Sequence, residues 1–304
     1  MRITNSNVKG VGFLLLAILI GSLQSVAVKW IGGNYSVLEI VLVRTVSALP
    51  FVLLFFRLEG RKGLPTTQQH TLEYVRGVVL FLSYTTYMMG LAALPLADVE
   101  AIRFSGPLMI TILSVAILEE KVELRRWIAL LVGFMGVLLI VKPGATTFNL
   151  GSLFILLSVF FYALIAIITR KLQASDSSAT MAYYSSLIYF GAVCVVSPAA
   201  AAIGETPNAH PSLAFLFRTW SMPTLLDVSF MFGMGLVWAG WMYFMSRAYS
   251  VAPASVVAPF EYASLPINMA WGVVIWRDIP TWNTLSGAFL TLLSGLYLLY
   301  HGRR

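Results

Sequence analysis

The segment Gly10–Ile31 (GVGFLLLAILIGSLQSVAVKWI) lies without a gap on Gly151–Leu172 (GSLFILLSVFFYALIAIITRKL), so the chain carries one unit twice. Gly10 falls on Gly151, Phe13 on Phe154, Leu23 on Leu164 and Lys29 on Arg170. Farther along, Gly77 falls on Gly235, Pro95 on Pro253 and Glu120 on Asp278. Each copy holds apolar runs of about 20 residues, the length that crosses a bilayer as a helix. With five runs in each copy, the odd number turns the second copy upside down relative to the first. Inverted repeats of this kind place a substrate site between the copies, near the membrane midplane.

Composition agrees with a lipid environment. The chain of 304 residues is 59% hydrophobic and 11% charged, with a mean hydropathy of +0.83, whereas a soluble domain carries roughly 25% charge. The net charge of +7 does not read as a nucleic-acid footprint, because the basic residues sit between apolar runs and not along one face. The single cysteine, Cys194, lies in an apolar run and excludes an intrachain disulfide. His70, His210 and His301 have no metal-ligand spacing. The start resembles a signal peptide, with Arg2 and Lys9 before an apolar stretch. Its length to Ile31 and its internal copy at Gly151–Leu172 make it a retained first span.

The pattern predicts spans near 9–31, 36–56, 72–93, 97–118, 125–142, 150–170, 180–203, 225–249, 254–276 and 282–300. The breakers fall between them: Gly32-Gly33-Asn34, Gly60 to Pro65, Pro95, Pro143-Gly144 and Asp176-Ser177-Ser178. The expected fold is an all-α membrane protein of ten transmembrane helices in two inverted five-helix repeats, 1–145 and 146–304. The repeat offset grows across Gly204–Pro223, which marks an insertion. Its Leu213–Phe217 and Trp220 read as an interfacial loop in preference to a lid. Basic residues, Arg57, Arg61, Lys62, Arg76, Lys121, Arg125, Arg126, Arg170, Lys171 and Arg247 among them, concentrate on one side. Read as topology signals, they put both termini in the cytoplasm.

Each half ends with a Pro-marked helix, an acidic turn and a Gly-rich last helix. Leu118-Glu119-Glu120-Lys121, followed by Trp127, Gly133 and Gly136, resembles the signature of the EamA family of the drug/metabolite transporter superfamily. Trp276-Arg277-Asp278-Ile279, followed by Gly287 and Gly295, is a weaker second copy. The likeness covers essentially the whole chain and comes nearest to the YddG-like branch. It implies a bacterial inner-membrane exporter of amino acids and related metabolites. Glu119 and Glu120, beside Lys121 and Arg125, read in themselves as a solvated, charge-paired turn.

Ionisable groups inside spans are functional candidates by default. Span four offers Glu100 and Arg103, and span nine offers Glu261. Arg103 and Glu261 occupy equivalent repeat positions, which leaves on the order of 10 Å between them along the membrane normal. One reading sets them against the carboxylate and amine of a zwitterionic substrate. The other is an internal ion pair, or an Arg103 that snorkels outward. Glu100 reads as interfacial, Glu39 as a headgroup-level residue, and Arg44 as ambiguous.

Pro107, Pro259 and Pro266 free backbone carbonyls beside these charges, which lipid tolerates only where protein or a hydrated cavity satisfies them. Pro50 and Pro198 are further hinge candidates. The expected walls are Tyr84, Tyr87 and Met88 of span three, Trp238, Trp241 and Met242 of span eight, and Phe104, Phe260 and Tyr262, with Gln24 and Tyr162 as polar contacts. Gly133, Gly136, Gly287 and Gly295 suit close helix packing within the chain in preference to a dimer seam.

Walker A, zinc and nucleophile-elbow patterns are absent from the sequence. The chain therefore reads as a carrier without cofactor, metal or nucleic-acid partner, and not as an enzyme. By resemblance it exports amino acids with apolar or aromatic side chains through alternating access. A drug, cation or nucleotide-sugar carrier of the same fold, or a non-transporting receptor or scaffold, stays open, as does proton coupling through Glu261 or Glu100.

Overall fold

The computed structural model describes residues 5–31, 35, 37–94, 99, 102–141, 150–204, 210–217, 220–277, 282, 285–287, 289–290, 293–294 and 297. All regular structure among these residues is helical, as lipid requires of an open chain whose backbone groups must bond within themselves. The elements are α1 (Asn5–Ile31), α2 (Val37–Leu58), α3 (His70–Leu91), α4 (Gly106–Leu118), α5 (Leu124–Val141), α6 (Leu150–Leu172), α7 (Ser178–Ile203), α8 (Pro211–Leu216) and α9 (Leu225–Val251). The expected ninth span then follows in pieces: α10 (Ala254–Val257), a 3-10 turn (Ala258–Ala263), α11 (Ser264–Trp271) and a π segment (Gly272–Trp276). Five helices (α1, α2, α6, α7 and α9) are long and apolar enough to cross a membrane, and α4 is a shorter apolar helix. Lys142, Pro143-Gly144, Asp278, Gly295 and most of the expected tenth span lie outside the described residues.

The long helices pack in pairs. α1 lies along α9, and α6, which repeats α1, lies along α3. α2 packs on α9 while its counterpart α7 packs on α3, and α2 meets α7 between them. α4 rests on α6, as the broken ninth span rests on α1.

The glycines show why these contacts are close. A Cβ on Gly77 would sit 2.7 Å from Ile188 of α7, and one on Gly235 would sit 2.0 Å from Ser47 Oγ and 2.8 Å from the Arg44 carbonyl of α2. Small residues let helix backbones approach where lipid supplies no hydrophobic drive between them. Gly235→Ala is expected to force α2 and α9 apart and lower stability by about 1–3 kcal/mol. Gly12→Ala, with open space around its Cβ, should be neutral; a thermal melt of both in detergent checks the contrast.

The acidic turn performs a structural task. Glu119 takes a left-handed conformation (φ 55), and Arg277, its counterpart after the ninth span, does the same (φ 57). This conformation ends a helix by turning the chain sharply. It swings Glu120 beneath α10, where its carboxylate accepts from the amides of Ala254 and Ser255 (both 3.0 Å) and from Ser255 Oγ (2.5 Å). Glu120 is therefore not a solvated charge-paired residue. It satisfies amides at the start of the ninth span, where a carboxylate also meets the favourable end of the helix dipole.

Three further expectations are corrected. Arg76, read as a topology signal, is buried (2%) and bonds to α6, α7 and α9. Glu39, read as a headgroup-level residue, stands in the first turn of α2 buried within the protein, and accepts from the Ser221 amide at 3.2 Å. Part of the insertion folds inward: α8 packs on α2 and α3, and Leu216 and Phe217 join the central apolar core, while Trp220 stays exposed.

Candidate functional site

Two proline-marked segments face each other. Span four breaks at Phe104-Ser105, where Ser105 donates its amide to Ile102 O at 3.0 Å, and resumes as α4 with Pro107 in its first turn. Span nine passes from α to 3-10 geometry at Pro259 and back to α before Pro266. Glu261 stands in the 3-10 stretch. Oε1 of its carboxylate accepts from Tyr162 of α6 at 2.9 Å and from Tyr249 of α9 at 2.5 Å. Tyr162 also reaches Met245 Sδ at 3.8 Å. Oε2 lies 4.0 Å from where a Cβ on Gly106 would stand, so the carboxylate is lodged against the break in span four. Arg103 is close enough to act on Glu261 by charge, and its guanidinium sits 4.8 Å above the Tyr87 ring. The two charges thus stand near each other at the breaks of both spans, Arg103 exposed and Glu261 half-buried.

A second group surrounds Arg44 of α2, which is fully buried (0%). Its guanidinium carbon is 3.9 Å from the centre of the Trp238 ring, 4.8 Å from Tyr84 and 5.9 Å from Tyr189. Neither its three nitrogens nor Trp238 Nε1 has a hydrogen-bond partner among the described residues. Trp241 stacks on Trp238 at 5.1 Å between centres. Beside this group runs a narrow apolar crevice, with enclosed room for about one water, lined by Val41, Phe81, Tyr84, Met88, Tyr189 and Leu216 among others. The two groups join through Tyr84 and Tyr87, whose rings are 6.3 Å apart.

The sequence candidates therefore divide. Tyr84, Trp238, Trp241 and Met242 belong to the Arg44 core, Met88 to the crevice beside it, and Tyr162, Tyr87, Arg103 and Glu261 to the break. Phe260 packs with α1 and α6. Phe104 and Tyr262 turn to α5: their rings are 6.0 Å apart and Tyr262 donates to Leu130 O at 3.3 Å, so they seal the bundle. Gln24 is half-buried on α1. α2 and α7 run without interruption through Pro50 and Pro198, both exposed on the outer surface. Glu100 lies outside the described residues.

Arg44, Tyr189 and Tyr249 were missed as site residues. The signal for Arg44 was present, since a lone cation within an apolar run demands a partner. Tyr189 and Tyr249 gave none, because a tyrosine in a span reads equally as a belt or core residue.

Comparison with known proteins gives four findings. The EamA-like transporter family matches residues 8–142. The "S-adenosylmethionine uptake transporter" of Rickettsia bellii is 28% identical over 299 residues, covering 97% of this chain and 94% of the relative. The "Riboflavin transporter" of Vibrio cholerae is 30% identical over 261 residues, covering 85% and 81%. A solved crystal structure superposes with a TM-score of 0.78 at 16% identity, over 97% of this chain and 99% of the other, which is a likeness of fold.

Proposed function

The chain belongs to the EamA-like transporter family, and from that premise we propose that it is a secondary carrier of the bacterial inner membrane, with both termini cytoplasmic. It moves small metabolites, in the first place amino acids with apolar or aromatic side chains, outward by alternating access between two inverted five-helix repeats. The family and its named relatives are transporters, not enzymes. The exchange of partners between α1–α9 and α6–α3, and the matched turns at Glu119 and Arg277, support the inverted repeat.

The observation that carries the reading is Glu261, bonded by Tyr162 and Tyr249 and facing Arg103 at the breaks of two spans. Discontinuous helices are where carriers of inverted repeats hold polar groups at membrane depth. Opposite charges there suit a zwitterion, and the apolar crevice beside Tyr84 and Met88 marks where its apolar side chain enters as those side chains turn aside. Direction is a matter of gradients, because alternating access runs both ways; the uptake named for the Rickettsia relative and export here need no different fold.

A second reading has its own support. The named cargoes of the two relatives carry large planar rings, and Trp238, Tyr84 and Tyr189 present ring faces and edges to one spot. On that reading the carrier moves a nucleoside- or flavin-like solute. A counterflow screen with reconstituted protein against amino acids, S-adenosylmethionine, riboflavin and cationic dyes separates the readings. Exchange of none of them would leave a receptor or scaffold as the better account. On either carrier reading Trp238→Ala removes the ring nearest the Arg44 guanidinium and is expected to cut counterflow about tenfold or more, with the protein still monodisperse on size exclusion.

A further inference from the structure

Arg44 and Trp238 together present four buried nitrogens that donate and do not accept, and all four lack a partner among the described residues. A guanidinium enclosed without an acceptor is unfavourable, and the ring faces around it offset that only in part. The arrangement is held in place by backbone. Gly235 brings α9 against the Arg44 carbonyl, with 2.8 Å left for a Cβ, and Trp238 follows one turn later, directly over the guanidinium. The nearest acid on the same helix, Glu39, is engaged with the Ser221 amide.

Tyr84 and Tyr189 are shared walls. One side of each ring system faces Arg44, and the same residues line the apolar crevice with Phe81, Met88 and Leu216. Tyr84 is only half-buried, so a turn of its side chain joins the crevice to the guanidinium.

We propose that Arg44 and Trp238 form a receiving site for the carboxylate of a substrate whose apolar or aromatic body enters the crevice lined by Tyr84, Met88 and Leu216. The site deepens the carrier reading and takes its role in transport from it. It moves the substrate's carboxylate from Arg103, where the carrier reading sets it, to Arg44, and leaves Glu261, held by Tyr162 and Tyr249, to meet a cationic group. Planar, forked donors suit a carboxylate, and the indole N–H supplies one further donor beside the fork.

The test is binding to the purified full chain in detergent, read as a ligand-dependent rise in melting temperature. The probes share one ring: 3-phenylpropionate has the carboxylate alone, phenylethylamine the amine alone, and phenylalanine both. Phenylalanine and 3-phenylpropionate are expected to stabilise the wild-type chain, and phenylethylamine is not. Arg44→Met should weaken both carboxylate probes by at least about tenfold while the unliganded chain melts no lower than wild type, because the enclosed charge is gone. Trp238→Phe keeps an aromatic ring but removes the N–H together with part of the indole's area, and should weaken them a few-fold.

Equal affinity in wild type and Arg44→Met overturns the proposal, as does a wild-type chain that answers to phenylethylamine alone or to neither carboxylate probe. If Arg44→Met fails to fold, unchanged carboxylate affinity in Trp238→Phe overturns it. Wild-type counterflow in proteoliposomes judges the carrier reading separately. Flux of a carboxylate-bearing substrate, undiminished in Arg44→Met, removes the site and leaves the carrier. Carboxylate binding without any flux removes the carrier and leaves the site.

Discussion

Glu261→Gln is expected to lower counterflow by about tenfold or more while leaving the melting temperature close to that of wild type. The substitution keeps the shape of the side chain, and its amide oxygen still accepts from Tyr162 and Tyr249, which hold Oε1 now at 2.9 Å and 2.5 Å. What it removes is the negative charge opposite Arg103. A charge-assisted contact of this kind is worth roughly 1.5–3 kcal/mol, or about ten- to a hundredfold. Glu261→Ala should add a stability loss, because two tyrosine hydroxyls lose their acceptor inside the bundle. An imposed pH gradient divides two roles. If Glu261 meets the substrate, Gln lowers flux with and without the gradient. If it carries a proton, Gln abolishes the response to the gradient and spares exchange at equal pH. Flux at the wild-type level in both conditions would take Glu261 out of the site.

The legible part of this molecule is the part that lipid dictates. Runs of about 20 apolar residues specify spanning helices, and the breakers Gly60 to Pro65 and Asp176-Ser177-Ser178 fall where the structure has its connections. The prolines at 107, 259 and 266 located the interrupted helices beside Arg103 and Glu261, since a freed carbonyl in a membrane needs a polar neighbour. Partnership was not legible. Glu120 is an acid beside Lys121 and Arg125 in the sequence, but its acceptors' partners are amides of Ala254 and Ser255, in the other half. Arg76 belongs by sequence with the basic topology residues, yet its bonds reach Thr169, Met181, Ser185 and Ser246. Pro50 and Pro198 show the converse. Each sits within an unbroken helix and faces outward, because a proline bends a helix only as far as the surrounding packing allows. Periodicity reports which residues are shielded from water; it does not report which helix shields them.

Arg76→Met is expected to be the most destabilising single change on the face that carries the basic residues. The guanidinium ties four helices at one point. From α3 it donates through Nε to Thr169 of α6 at 2.8 Å, through Nη1 to Met181 O at 2.8 Å and Ser185 Oγ at 2.5 Å of α7, and through Nη2 to Ser246 Oγ of α9 at 2.7 Å. Glu73, one turn earlier on α3, is also buried, and neither of its oxygens has a hydrogen-bond partner among the described residues. Methionine fills the volume but leaves that carboxylate without the cation one turn away and releases α6, α7 and α9 from α3. Removing one partner from a buried charge arrangement costs about 3–5 kcal/mol, which a melt in detergent reads as a large fall in midpoint. Lysine should recover only part, because a point charge with three donors does not reproduce a planar fork that reaches three helices. The double variant Arg76→Met with Glu73→Gln tests the electrostatic share. It is expected to melt above Arg76→Met alone, since the enclosed charge left behind has been neutralised, and a coupling of 0.5 kcal/mol or more marks such contacting groups, to order of magnitude about 0.5–3 kcal/mol. A double variant no more stable than Arg76→Met would place the whole effect in the lost bonds between helices. An Arg76→Met chain melting with wild type would show that packing of α3 against α6 and α7 holds this face shut without the tie.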